Sequence, residues 1–145
     1  MRRALVPLAV MVTASCGGVH ETRSLNLQGP LPAGNTLEVV LTPPFEPKYQ
    51  NNSLCFFTEE PTPADPNRTD KVLSRSKGTY FLPSAAVWGA DGRRFEFQSS
   101  GSGNAPKFCY FAPKEALPPK IARVTVTSPE LFMFSQAVLS TQSLP

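Results

Sequence analysis

Short apolar segments, separated by proline, glycine and other turn residues, recur along most of the chain. Residues 121–127 alternate apolar and polar side chains, which is the pattern of a strand with one buried face. Residues 36–42 and 131–139 are also predicted strands, each bounded by turn or polar residues. Helical periodicity is almost absent, so the pattern predicts an all-β domain of roughly seven to eight strands.

The clearest local element is a hairpin over residues 85–97. Asp91-Gly92 favours a two-residue type I′ turn, because these residue types tolerate the positive φ angles of that turn. This turn would place Trp88 directly opposite Phe95 and on the same face as Phe97. We therefore expect Trp88, Phe95 and Phe97 to be core anchors, in preference to a platform that stacks on ligands.

The predicted strands form a single small β-sandwich over residues 36–145, because each apolar strand face must be buried against another layer. Proline accounts for 16 of 145 residues, which argues against a helical bundle because proline breaks helix interiors. The immunoglobulin pattern is not matched, since Trp88 lies far beyond Cys55 and Lys107 stands at the position of the corner tyrosine. These departures favour a jelly-roll or transthyretin-like strand order, and the sequence does not resolve the choice among these two and an immunoglobulin-like order.

The N-terminus has the layout of a secretory signal peptide. Arg2 and Arg3 precede an apolar run over residues 4–12, and small residues then lead to Cys16. The apolar run is much shorter than the ~20 residues that a spanning helix needs. We therefore expect residues 1–15 to be removed as a signal peptide rather than to form a membrane anchor.

The stretch Thr13-Ala14-Ser15-Cys16-Gly17 resembles the lipobox of bacterial lipoproteins, although that family favours an aliphatic residue where Thr13 stands. The resemblance implies cleavage before Cys16, a diacylglyceryl thioether on its sulfur and an acylated amino group, which together hold the chain at the membrane. Gly17 stands where some lipoproteins carry an inner-membrane retention aspartate, so the resemblance implies the outer membrane, facing the periplasm or the surface. An ordinary signal peptide cut after Ala14 is the alternative, and it would leave Cys16 as an unpaired thiol.

Residues 16–35 are rich in glycine and proline and show little apolar periodicity. We therefore predict a flexible tether between the lipid and the sandwich, with pairing to the body near Leu25 and Leu27 as a further option. The predicted organisation is a signal peptide over 1–15, a lipidated tether over 16–35 and a sandwich over 36–145.

Cys55 and Cys109 remain after Cys16 is assigned to the lipid. An even remainder in an exported protein predicts one disulfide, here expected to join the two sheets. On the chain-entropy view such a bond contributes roughly 4 kcal/mol, less any strain. Two buried thiols or a metal pair are the alternatives, but no histidine lies near either cysteine in the sequence.

Catalytic chemistry has little support in the sequence. The only histidine, His20, lies in the predicted tether, so Ser–His and Cys–His mechanisms lack a base. No transition-metal spacing is present, and we predict neither a metal nor a cofactor. The protein is thus predicted not to be an enzyme, and converging carboxylates from Asp70, Asp91 or Glu96 would be needed to reverse that prediction.

Recognition is the remaining class of function. The formal net charge of +3 is small and the basic residues are scattered, which argues against nucleic acid. Residues 59–69 and 99–106 are long predicted loops of the kind that bind partners on rigid sandwiches. We therefore predict a lipid-anchored, non-catalytic cell-envelope protein that binds a protein partner or supports an envelope assembly. The alternative is a carbohydrate- or small-ligand-binding module that uses exposed rings of Tyr49, Tyr80 or Tyr110.

Overall fold

The computed structural model describes residues 11–15, 18–57, 83–97 and 107–143, and most of the apolar segments in these ranges form strands. The strand predicted over residues 131–139 begins only at Gln136. A single turn of 3-10 helix, Lys114–Ala116, accompanies the strands. The strands are β1 (Met11–Ser15), β2 (Gly18–Ser24), β3 (Thr36–Phe45), β4 (Asn51–Phe57), β5 (Ser84–Gly89), β6 (Arg94–Glu96), β7 (Lys107–Pro113), β8 (Ile121–Thr127) and β9 (Gln136–Gln142).

The strands form two antiparallel sheets that pack face to face. The first sheet has the order β1-β2-β9-β4-β7 and the second has the order β3-β8-β5-β6. Without β1, each sheet holds four strands, and the last strand, β9, returns to lie between β2 and β4. This is the jelly-roll order of two Greek keys. The predicted all-β sandwich is confirmed, and the structure selects the jelly roll among the three orders that the sequence left open.

The core lies between the sheets and is built around the ring of Phe56. Its centroid lies 5.5 Å from that of Phe132 and 5.4 Å from that of Phe134, both in edge-to-face arrangements. Tyr110 adds a third edge contact, with centroids 6.5 Å apart. The innermost side chains of the sandwich, from both sheets and from the bridge between residues 31 and 132, are almost fully buried: Leu31, Leu54, Phe56, Val87, Tyr110, Val124, Val126, Phe132 and Leu139.

The hairpin between β5 and β6 has a different register from the predicted one. Val87 lies opposite Phe95 and Trp88 lies opposite Arg94. The connection is a three-residue loop over 90–92, in which Gly92 has a φ of 87° and donates to the Gly89 carbonyl at 3.0 Å. The extra loop residue shifts the pairing by one position, and such a shift moves side chains to the opposite face.

As a result, two of the three predicted core anchors, Phe95 and Phe97, face the core, and Trp88 does not. Phe97 is buried, and Phe95 is half-buried with its ring 5.2 Å from that of Phe97. Trp88 instead lies on the outer face of the second sheet, because Val87 occupies the inward position. The prediction that Trp88 anchors the core is therefore wrong.

The segment predicted as a flexible tether is largely part of the sandwich. β2 pairs with β9 from His20 to Ser24, and Leu25 and Leu31 are buried. Leu31 also forms a backbone bridge with Phe132, with both hydrogen bonds at 2.9 Å. Local periodicity could not reveal this, because the strand that holds β2 comes from the other end of the chain.

The predicted disulfide is present between Cys55 and Cys109, which lie directly opposite each other on β4 and β7. Both strands belong to the first sheet, so the bond joins two neighbouring strands. The expectation that it joins the two sheets is therefore wrong. Leu54 and Phe56, on either side of Cys55 along β4, take the inward positions, so the disulfide lies on the opposite face of the sheet, where both cysteines are nevertheless buried. The predicted loops 59–69 and 99–106, together with Asp70 and Tyr80, lie outside the described residues.

The aromatic core predicts that truncating two phenylalanines on neighbouring strands will have very different effects on the free energy of unfolding. Phe56→Ala removes the ring that contacts three others, so we expect a loss of about 3–5 kcal/mol in the free energy of unfolding. Phe111→Ala is the matched control, because Phe111 is 64% exposed, and we expect a change within about 0.5 kcal/mol. Urea unfolding followed by circular dichroism measures both. Equal losses in the two variants would contradict the assigned core.

Candidate interaction face and predicted site residues

The most developed side-chain cluster lies on the outer face of the second sheet, around Trp88. Arg94 on β6 and Arg123 on β8 are directly opposite Trp88, one on each side of β5. Their guanidinium carbons lie 5.3 Å and 4.2 Å from the centroid of the tryptophan ring. Both arrangements are cation–π contacts, which are worth about 0.5–1 kcal/mol at exposed sites.

Carboxylates and a hydroxyl hold this cluster in place. Arg123 lies 3.7 Å from Glu38, and Arg94 lies 3.2 Å from Glu96. The indole nitrogen of Trp88 donates to Thr125 Oγ1 at 3.4 Å. The two positive charges are thus balanced locally, and the side chains are held by several weak contacts at once.

Val40 extends the cluster towards the edge of the sheet. It lies directly opposite Arg123 in the β3–β8 register and is 65% exposed. We call Glu38, Val40, Trp88, Arg94 and Arg123 the Trp88 face. It combines one aromatic side chain, two arginines and an exposed aliphatic side chain, and the centres of protein–protein interfaces are enriched in tryptophan and arginine.

The Trp88 face is poorly suited to stacking a sugar ring. An arginine approaches the Trp88 ring from each neighbouring strand, so a sugar would have to share the indole surface with two guanidinium groups. It also offers no acid–base pair, since each carboxylate is engaged by an arginine. The chemistry available is contact with a complementary surface that brings its own hydrogen-bonding groups.

Of the three tyrosines proposed for ligand binding, the structure describes Tyr49 and Tyr110, and neither has a fully exposed ring. Tyr110 is buried, and its hydroxyl donates to the Pro83 carbonyl. Burial raises the pKa of the Tyr110 hydroxyl well above its ordinary value. Tyr49 is half-buried, and its backbone N–H donates to Thr141 Oγ1 at 2.9 Å. The prediction of an exposed ring is therefore wrong for Tyr110, and Tyr80 lies outside the described residues.

Asp91 and Glu96, two of the three carboxylates considered for catalysis, are each engaged in an ion pair with an arginine. Asp91 Oδ2 lies 3.1 Å from Arg93 Nε, and Asp91 Oδ1 accepts the Arg93 backbone N–H at 3.0 Å. The backbone hydrogen bond from Arg93 is the main cause that lowers the pKa of Asp91. Glu96 is paired with Arg94, as described above. These groups stabilise the hairpin and its outer face.

An open cleft of about 460 Å³ lies at the end of the sandwich where the connections are short. Three of the four charged residues in its lining have partners, beginning with Arg93, which pairs with Asp91, and Lys114, whose Nζ donates to the Lys48 carbonyl at 3.0 Å. Glu115 accepts a hydrogen bond from Gln50, which is the main cause that lowers the pKa of Glu115. The cleft is lined by Glu46, Pro47, Arg93, Lys114, Glu115, Leu117, Pro118 and Pro119.

In the described ranges there is no helix with the length and apolar character needed to cross a membrane. Those same ranges contain no group of three or more His, Cys, Asp or Glu side chains arranged to hold a metal ion. Cys16, the predicted lipidation site, lies outside the described residues.

Comparisons with known protein families, curated proteins and solved structures found no match to this chain. The features of this chain that bear on its function are therefore its N-terminal sequence and the Trp88 face. Sequence reasoning identified Trp88 but assigned it to the wrong face. The alternation of Arg123, Thr125 and Thr127 on β8 was the available signal that this side of the second sheet is polar.

The buried hydroxyl of Tyr110 predicts a loss of stability at alkaline pH. The unfolded chain releases this proton near pH 10 whereas the folded protein retains it, so this contribution is intact below about pH 10 and decreases as pH rises towards the raised pKa. The expected slope is up to about 1.4 kcal/mol per pH unit. We expect Tyr110→Phe to lose this slope and also to lose about 1–3 kcal/mol at neutral pH, because the Pro83 carbonyl loses its donor.

Urea unfolding between neutral pH and alkaline pH measures this effect. Tyr49→Phe is the control, because Tyr49 is only half-buried, and it should keep the slope that Tyr110→Phe loses. An unchanged alkaline slope in Tyr110→Phe would contradict the burial of the hydroxyl.

Proposed function

We propose that this chain is a lipid-anchored bacterial cell-envelope protein that is not an enzyme and binds a protein partner or supports an envelope assembly. The carrying observation is the order of the N-terminal residues: Arg2 and Arg3, an apolar run, and then Thr13-Ala14-Ser15-Cys16. Acylation at Cys16 supplies the membrane attachment. The Cys55–Cys109 disulfide is consistent with export, because such bonds persist in oxidising compartments.

The fold is compatible with cleavage before Cys16. β1, which that cleavage would remove, is an additional edge strand that pairs with β2. The remaining strands still form both halves of the jelly roll, with the core between them. The lipid on Cys16 would then lie two positions before β2, and the sandwich would stand close to the bilayer.

The proposed location is the outer membrane, on its periplasmic or outer surface. Gly17 follows Cys16, and the inner-membrane retention aspartate of some lipoproteins is absent from that position. The sandwich itself contributes the binding function through the Trp88 face. That face supports a protein partner better than a sugar, because Trp88 is flanked by arginines while Val40 remains exposed.

Lipidation is tested by expressing the full chain in a bacterial host and extracting the membranes with detergent. We expect an intact mass that lacks residues 1–15 and includes acyl chains, with Cys55 and Cys109 unreactive towards thiol reagents. Cys16→Ser should be unacylated and should not be cut at this position, because the thioether cannot form. A wild-type protein that is soluble, unacylated and cut after Ala14 would overturn the proposal.

Partner binding is tested with a photo-crosslinking amino acid in place of Val40 in intact cells. We expect one specific envelope protein, identified by mass spectrometry and then shown to bind the purified protein. Trp88→Ala should weaken that binding by about tenfold or more, since truncating a central tryptophan commonly costs over 1 kcal/mol. The control position is Phe111, which is equally exposed but on the outer face of the first sheet.

Two outcomes would count against this surface. Equal crosslinking from positions 40 and 111 would mean that the partner does not bind preferentially to the Trp88 face. Binding of purified glycans in place of protein would favour the carbohydrate-binding alternative, and Trp88→Ala would then show whether the same face is used.

A further inference from the structure

The outer edge of β2 changes its exposure if the chain is processed as proposed. In the full chain, β1 covers this edge, with Met11 opposite Thr22, Thr13 opposite His20 and Ser15 opposite Gly18. Cleavage before Cys16 removes β1 and leaves β2 as the edge strand of the first sheet. The geometry points to a second copy of the mature chain as the occupant of this edge, through antiparallel β2–β2 pairing; this inference rests on the proposed cleavage.

The backbone groups that face the vacated edge can be identified from the hydrogen bonds on the other side. The Val19 carbonyl accepts the Ser143 N–H at 3.0 Å, and the Leu25 N–H donates to the Ala137 carbonyl at 2.9 Å. Odd-numbered residues of β2 therefore bond towards β9. Because bonding direction alternates along an antiparallel strand, the N–H and C=O groups of Gly18, His20 and Thr22 face the open edge.

The edge can accept a strand without burying an unpaired charge. Charged side chains that point inwards on an edge strand commonly oppose such pairing. On β2 they already have partners within the domain: Glu21 lies 3.2 Å from Lys48 Nζ, and Arg23 donates to the Pro43 carbonyl. The edge strand also contains no proline, which would remove a donor. The pairing with β1 shows that a five-residue strand fits here.

Of the two registers centred on His20 and on Glu21, the same chemistry favours the one centred on His20. Pairing centred on His20 places Gly18 opposite Thr22 and Val19 opposite Glu21. The edge-facing groups then meet edge-facing groups of the partner, with two hydrogen bonds in each pairing of Gly18 with Thr22 and in the pairing of His20 with His20. The register centred on Glu21 would place two carboxylates opposite each other, which is destabilising. The His20-centred register also covers the same residues that β1 covers.

A second copy fits this edge because both copies carry it at the same place relative to the membrane. Cys16 lies two positions before Gly18, so the anchor holds every copy's β2 near one surface. Confinement to a surface raises the effective concentration of one edge around another. A two-fold axis through His20 makes the contact self-complementary, as closed homodimers require. The two first sheets would then form one continuous sheet across the dimer.

The direct test is a cysteine at the two-fold axis. His20→Cys in the full, membrane-extracted protein should form a disulfide-linked dimer under mild oxidation, because the two residues would be directly opposite. Thr22→Cys is the matched control, since the register offsets the two copies of residue 22 by about 14 Å along the strand. We expect several-fold more dimer from His20→Cys than from Thr22→Cys on a non-reducing gel.

A second pair of variants tests the edge hydrogen bonds without a new cysteine. Thr22→Pro removes an edge-facing donor within the register, whereas Ser24→Pro makes the same change just beyond it. Chemical crosslinking of native membranes should give markedly less dimer for Thr22→Pro than for wild type, and wild-type levels for Ser24→Pro. Circular dichroism of each variant confirms that the sandwich is folded.

The outcomes separate this inference from the proposed function. If intact mass shows that residues 1–15 remain, the proposed processing has failed and the edge is never vacated. If the mature lipoprotein is present but His20→Cys forms no more dimer than Thr22→Cys, the β2–β2 pairing is overturned. Crosslinking of position 20 to a different polypeptide would likewise overturn it.

Discussion

The pairing of β9 with both β2 and β4 is the interaction on which this structure depends. β9 is hydrogen-bonded on both sides, so it joins the first strand of the jelly roll to the centre of the first sheet. Its inward side chains, Ala137, Leu139 and Thr141, are buried against the opposite sheet. Without β9, β2 would have no place in the sandwich, and the N-terminal segment would be the flexible tether that its composition suggests.

A second constraint is the loop of the β5–β6 hairpin. Gly92 adopts a left-handed conformation at the third loop position, and the strands resume pairing with Gly89 N–H donating to the Arg93 carbonyl. This geometry places Val87 in the core and Trp88 outside it. The cation–π cluster, and with it the candidate interaction face, is therefore a consequence of one extra residue in a turn.

The two candidate contact regions belong to different sheets. The edge of β2 is in the first sheet, close to the proposed anchor, whereas the Trp88 face is the outer surface of the second sheet. One copy could therefore pair through β2 while its Trp88 face stays available to a different protein. The pairs Glu21–Lys48 and Arg23–Pro43 satisfy polar groups where β2 approaches β3, so the sandwich is closed on that side.

The sequence by itself determined the fold class and the cysteine pair, whereas the signal peptide and lipobox stay predictions from it. Strand alternation, proline content and an even number of remaining cysteines are local or compositional properties. What they predict does not depend on the order of the strands in the sheets. Tertiary structure decided the rest: the jelly-roll order, the inclusion of residues 18–35, and the faces of Trp88 and Tyr110. Each of these depends on a partner distant in sequence or on a loop conformation, such as β9 for β2, Pro83 for the Tyr110 hydroxyl and Gly92 for Trp88. Such partners leave no periodic signal in the segment that they position.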